Sequence, residues 1–159
     1  LVTQQLIASL TLTHCGSTPI PYGCGFHPFF SFDKRSTVQF AASGYWPEGE
    51  QHLPLNWQSP LPGYADFSHP QYGEDRWLNV GYSGWSGRAR IVSNVMNIAI
   101  LSQTSWLMLF RMQGEPFLCL EPQTHPVNAH NMDGQPGLRV LGTGDTLNFS
   151  LKIDVQGRE

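Results

Sequence analysis

Charge is what this sequence has least of: only 13% of its 159 residues are Asp, Glu, Lys or Arg. The formal net charge is −3 and there is no basic run, which excludes the electrostatic footprint of a nucleic-acid binder. Cysteine is scarce as well. Cys15, Cys24 and Cys119 are an odd number with no C-x-x-C spacing, which excludes a disulfide scaffold and fits a reducing, cytoplasmic compartment. Long apolar runs are missing. The stretch from Leu6 to Leu12 is broken by Ser9 and Thr11 and lacks a basic flank, so neither a membrane span nor a signal peptide is expected. No window keeps a helical period with caps over three turns, and no internal repeat on the order of 20–50 residues is visible. Low charge does not imply disorder here, because 40% of the residues are hydrophobic and 12% aromatic, enough to build a core. The length suits a single domain over residues 1–159.

What the chain has in abundance is turn formers, 16 glycines and 12 prolines spread along its whole length. Between them lie short alternating runs. Leu6–Thr13 puts Leu6, Ala8, Leu10 and Leu12 on one face, and residues 146–155 put Leu147, Phe149, Leu151, Ile153 and Val155 on one face. Residues 37–42, 88–92 and 116–121 read as further strands. Residues 97–101 and 106–110, separated by Ser102-Gln103-Thr104-Ser105, read as a hairpin. Many short strands punctuated by Gly and Pro predict an all-β sandwich or barrel. Residues 43–75 are the least regular part, rich in Pro, Gly, His and aromatics; a loop that long in a compact domain is functional or disordered. The chain opens on Leu1 in a strand-like pattern, which reads as the continuation of a longer fold.

Two segments carry candidate chemistry. In Pro21-Tyr22-Gly23-Cys24-Gly25-Phe26-His27-Pro28-Phe29-Phe30, two glycines permit close backbone approach, and Pro28 biases His27 to an extended conformation. A histidine held among aromatics beside a glycine-lined gap suits general acid catalysis near neutral pH. A hydrogen-bonded core histidine is the plainer reading of the same residues. In Leu118-Cys119-Leu120-Glu121-Pro122-Gln123-Thr124-His125, Glu121 closes an apolar strand and Pro122 ends regular pairing. Partial desolvation there would raise its pKa and make it a better base, unless it simply points into solvent.

The first segment resembles the glycine-flanked His-Pro-Tyr/Phe-Phe motif of the aldose 1-epimerase (galactose mutarotase) family. Residues 119–124, followed by Asn128 and Asn131, are similar to that family's Glu-Pro segment. Residues 137–146 resemble its glycine-rich turn into a last strand, and Gly44-Tyr45-Trp46-Pro47 with His52-Leu53-Pro54 resembles its middle region. The resemblance implies a β-supersandwich, of which this chain is the carboxyl-terminal part and which is incomplete at the amino-terminal side. It implies anomer interconversion of a monosaccharide or a sugar phosphate, with Glu121 as base and His27 as acid, and with neither metal nor cofactor. Gln123, in the Glu-Pro segment, is an expected substrate contact. Trp85 either stacks on a sugar or sits in the core. Asn79 stands where the family carries a sugar-binding aspartate, so Asp75 is a candidate to compensate. The family's further histidine and arginine lie in an amino-terminal part that nothing here matches; His14 is no convincing substitute. The expected partner is that missing part or a second copy, covering exposed strand edges.

Two rivals remain. Six histidines plus Glu121 offer enough ligands for a metal-dependent barrel enzyme, but no His-x-His pair puts two imidazoles on one strand face. A non-catalytic sugar-binding lobe, or an inactive truncated homologue, fits the missing family residues. For a phosphorylated substrate, Arg88, Arg90 and Lys34 are the candidate phosphate ligands.

Overall fold

A computed structural model of the chain describes residues 3–158; the strand-like start at Leu1 lies outside the described residues. Period-two alternation produces strands almost throughout: β1 Thr3–Thr13, β2 Ile20–Tyr22, β3 Phe29–Ser31, β4 Thr37–Phe40, β5 Gly44–Trp46, β6 Gln71–Tyr72 and β7 Leu78–Ser83. The second half adds β8 Arg88–Val92, β9 Met96–Ser102, β10 Trp106–Arg111, β11 Phe117–Gln123, β12 Arg139–Leu141 and β13 Thr146–Gly157. The helical content among the described residues is two short 3-10 turns, Glu50–His52 and Ala129–Asn131.

The strands form two open antiparallel sheets. One runs β1-β13-β9-β8-β4-β6, the other β3-β11-β10-β7-β5, with a small β12-β2 ribbon apart. Their inner faces meet in a common core: Val38, Ala89, Ile91, Ile98, Ile100, Leu151 and Ile153 from the first against Leu78, Val80, Tyr82, Leu107, Leu109, Leu118 and Leu120 from the second. Strand β13 follows the simple rule of one buried face, alternating through Leu147, Phe149, Leu151 and Ile153. Strands β7, β10 and β11 do not alternate cleanly, because loops cover their outer face as well.

The expected hairpin over residues 97–110 does not form. Strand β9 pairs with β8 and β13, while β10 pairs with β7 and β11 in the other sheet. Residues 103–105 therefore carry the chain from one sheet to the other. Two near-continuous apolar strands each need a buried face, and opposite sheets of the sandwich provide it. Residues 43–75 are ordered: they contain β5 and β6, and Ala65 and Phe67 reach the core. On β1, Ala8, Leu10 and Leu12 are half-buried while Leu6 remains 58% exposed, as befits an edge strand. Among the described residues no helix is long and apolar enough to cross a membrane.

Candidate active site

Residues 23–26 run alongside the end of β11. The Phe26 N–H donates to Pro122 O at 3.0 Å and the Thr124 N–H to Cys24 O at 2.8 Å, with Gly25 bridging to Gln123. The approach is too close for side chains. A Cβ on Gly25 would lie 2.9 Å from the Pro122 carbonyl, and one on Gly23 would strike the His125 ring. His27 emerges from this tight segment and stacks on Phe29 at 5.0 Å between ring centroids. Phe29 in turn leans on Phe117, so aromatic packing limits where the imidazole can point.

Glu121 faces Met108 across the β10–β11 pair. It lies on the outer face of the five-stranded sheet, since its neighbours Leu120 and Pro122 take the alternate face. It is only 7% exposed. Its Oε1 stands 3.2 Å from His27 Nε2, and the imidazole is more than half exposed. Burial pushes the Glu121 carboxyl up to about 7, with the charge of His27 pulling in the opposite direction. Cys119, on the same face, is pushed up to about 12 by burial, reinforced by the Glu121 charge. A cleft of about 250 Å³, lined by Gly25, Phe26, His27, Glu121, Gln123 and His125, opens over the pair. Such a pair can hold and pass a proton at neutral pH on a small polar molecule.

Of the residues singled out from sequence, the fold thus brings His27, Glu121 and Gln123 together. Asn79 lies on the same outer sheet face, two strands away on β7. Its Nδ2 donates to Glu48 Oε1 at 2.6 Å. Asp75 does not join it: that carboxylate accepts from the Gly114 N–H at 2.6 Å, in the β10–β11 turn. Trp85 must be corrected to the core. It is 3% exposed, and its indole N–H donates to Arg88 O at 3.0 Å, so no ring face is left for a sugar. Arg88 and Arg90 alternate with the inward Ala89 and Ile91, and so face away from the sandwich on the six-stranded sheet. Lys34 sits in the β3–β4 turn; none of the three lines the cleft. His14 is buried with Nδ1 2.9 Å from the Tyr22 hydroxyl.

Two residues escaped the sequence reading as site members. His125 lines the cleft, and burial, aided by the charge of His130, pulls its pKa down, favouring the neutral ring. Its signal was the His125-Pro126 dipeptide, which repeats His27-Pro28. Glu48 left no local signal. Its carboxylate takes hydrogen bonds from Asn79, from Trp77 Nε1 at 2.6 Å and from His52 Nδ1 at 2.5 Å. Burial alone would push Glu48 up, but these donors together outweigh it and hold the carboxyl below its usual range.

As possible metal ligands, His27, Cys119 and Glu121 bring their donor atoms within 4.8 Å of one another, the one such group among the described residues. A thiol that burial holds protonated is a poor ligand, because metals bind the thiolate.

No family model matches the chain. Among solved structures, an aldose epimerase homologue from Caenorhabditis elegans superposes with a TM-score of 0.78 at 17% identity, over 98% of this chain and 57% of that one. A galactose 1-epimerase from Lactobacillus acidophilus gives a TM-score of 0.76 at 14% identity, over 98% of this chain and 54% of that one; both likenesses are of fold. An Escherichia coli K12 protein assigned provisionally as an aldose 1-epimerase gives 0.91 at 29% identity, over 97% of this chain and 57% of that one. The chain matches a portion of the aldose 1-epimerase-like proteins. It carries their galactose mutarotase-like sandwich fold. It is also 30% identical, over 98% of its length, to the uncharacterized E. coli K12 protein YphB, of which it spans 58%. The chain therefore spans little more than half the length of the aldose 1-epimerase-like proteins it matches.

Proposed function

We propose that the protein is an aldose 1-epimerase that interconverts the α and β anomers of a free sugar. The observation that carries this reading is the His27–Glu121 contact of 3.2 Å in an open cleft, with the Glu121 carboxyl held at about 7. Anomer exchange moves protons on two oxygens that share one carbon, the C1 hydroxyl and the ring oxygen. An acid and a base serving both must therefore stand side by side, as these two do.

In the proposed cycle the Glu121 carboxylate takes the proton from the C1 hydroxyl. The C1–O5 bond breaks as the C1 carbonyl forms, and the ring oxygen takes a proton from the His27 imidazolium. Rotation about C1–C2 presents the other carbonyl face. The steps then reverse: the C5 hydroxyl returns its proton to His27 as it attacks C1, and the new C1 oxyanion recovers one from Glu121. A carboxyl poised near neutrality gives and takes protons with little penalty in either direction. Gln123 is available for a sugar hydroxyl at the cleft wall, and His125, favoured neutral, has a ring nitrogen to offer. The acting assembly, in this reading, completes the sandwich with an amino-terminal part or a second copy.

The test is polarimetry of freshly dissolved α-D-glucose and α-D-galactose. Mutarotation faster than the buffer rate is expected, and it should vanish in Glu121→Gln and in His27→Asn. Unaccelerated rates with the intact protein on both sugars would remove the reading and leave a sugar-binding lobe in its place.

A further inference from the structure

The sheet face that bears Glu121 carries a second assembled cluster three strands away. Glu48 lies two residues beyond Trp46 of β5, which pairs with Gly81 of β7, and so comes level with Asn79. The turn beyond it is strained. Gln51 and His52 both have positive φ, 55° and 62°, a conformation that side-chain-bearing residues adopt only at a cost. That strained turn returns His52 Nδ1 to Glu48. Beside them Trp77 stays 42% exposed, its indole N–H on Glu48 and its ring 5.9 Å from the His52 ring. A carboxylate fixed by three donors, next to a half-open indole, combines an ionised acceptor with an apolar platform. Three donors also leave roughly one of the carboxylate's four lone-pair sites for an incoming hydroxyl.

The spacing sets the size of ligand. Glu121 on β11 is level with Met108 and Asn79 on β7 with Phe110, so two strand spacings and a two-residue stagger put them ~12 Å apart, with Glu48 Oε1 2.6 Å from the Asn79 amide. That distance accommodates one pyranose ring with a hydrogen bond at either end. The strip between Glu121 and Asn79 is apolar, with Met108 buried and Phe110 half-buried, and Val127, Met108 and Trp46 stand 3.7–3.8 Å from where a Cβ on Gly81 would lie.

We infer that Glu48, held by Asn79, Trp77 and His52, is the specificity end of the substrate site and accepts the C4 hydroxyl of an aldopyranose. The assignment of C4 rests on the epimerase reading above: with C1 at Glu121 and His27, C4 is the ring carbon diametrically opposite.

The experiment compares D-glucose with 4-deoxy-D-glucose in the whole protein, by polarimetry and by tryptophan fluorescence. Glu48→Gln should raise KM for D-glucose about tenfold, the worth of one hydrogen bond to a charged group, with kcat within twofold. The parent should prefer D-glucose over the 4-deoxy sugar by a similar factor, and the variant should lose that preference. Glu48→Asp, which keeps the charge but withdraws it by one methylene, should give an intermediate KM and covers a folding failure of the Gln variant. Glu121→Gln turns nothing over, yet D-glucose should still change its fluorescence saturably, and adding Glu48→Gln should weaken that binding. Such binding with no turnover in the parent would sink the acid–base reading while leaving Glu48 as a sugar ligand. Parent-like KM in both Glu48 variants, or equal use of the two sugars by the parent, would overturn the inference.

Discussion

Two carboxylates meet histidines on one face of the five-stranded sheet, and their surroundings push them in opposite directions. Glu121 is the more deeply buried, and among the described residues only His27 reaches its carboxylate, at 3.2 Å. Its pKa rises to about 7. Glu48 is partly buried too, but three donors at 2.5–2.6 Å more than offset the loss of solvent, and its pKa falls. A carboxylate–histidine pair therefore has no fixed chemical meaning. Counting donors against burial separates a group that can exchange a proton at neutral pH from one that stays an anion and can only accept a hydrogen bond.

The comparison is broken most directly at Glu121. Glu121→Gln should lower kcat for mutarotation by roughly 10²–10⁴, the usual worth of a positioned acid–base group; a polarimetric rate within twofold of the parent would make the two pairs equivalent. The pH profile is the next largest effect. Because the base must be ionised, kcat/KM should rise about tenfold per pH unit on its acid limb below pH 7, and because the acid is an imidazolium it should fall again as His27 loses its proton, a bell-shaped profile measured from pH 5 to 8. A profile flat through pH 7 would mean that burial does not set the ionisation of Glu121.

At the other pair, Asn79→Leu removes one donor from an ionised carboxylate. It should cost about 1.5–3 kcal/mol in urea denaturation at pH 7, and it should move the Glu48 pKa upward in an NMR titration. Stability against pH gives a smaller contrast with a definite sign. The folded pKa of Glu121 lies above its unfolded value, so its stabilising contribution is complete below about pH 4.5 and is lost as pH rises through about 7. Glu121→Gln has no such loss. Its melting temperature relative to the parent should therefore climb between pH 4.5 and 8, and a constant difference would contradict the shift. The smallest effect is expected at Arg88 and Arg90. Alanine at either should change turnover of free or phosphorylated glucose less than twofold, since both side chains project from the other sheet.

Much of the scaffold was legible from residue order. The alternation in β13 and the run of glycines and prolines specify strands and turns without reference to any partner, because side-chain direction in a strand depends only on parity. The assignment of β9 and β10 to a hairpin failed for the complementary reason: two apolar strands and a short polar link describe a hairpin and a sheet-to-sheet crossing equally well. Trp85 shows the same limit at a single residue. An aromatic beside glycines is consistent with a platform or a core plug, and only its 3% exposure decides between them.

For the two carboxylates the division is sharper still. Local sequence by itself determined that His27 would be extended and confined between glycines and Pro28, and it placed Glu121 in an apolar strand; the expected end of that strand at Glu121 is wrong, because β11 stays paired with β10 through Pro122 and Gln123. The tertiary structure decided everything that makes them a pair: that residues 23–26 dock on the end of β11, that loops cover the outer face and desolvate the carboxylate, and that Asn79, Trp77 and His52 gather on Glu48 instead. A pKa is set by solvent and neighbours within a few ångströms, and in a sandwich of non-consecutive strands those neighbours come from distant parts of the chain.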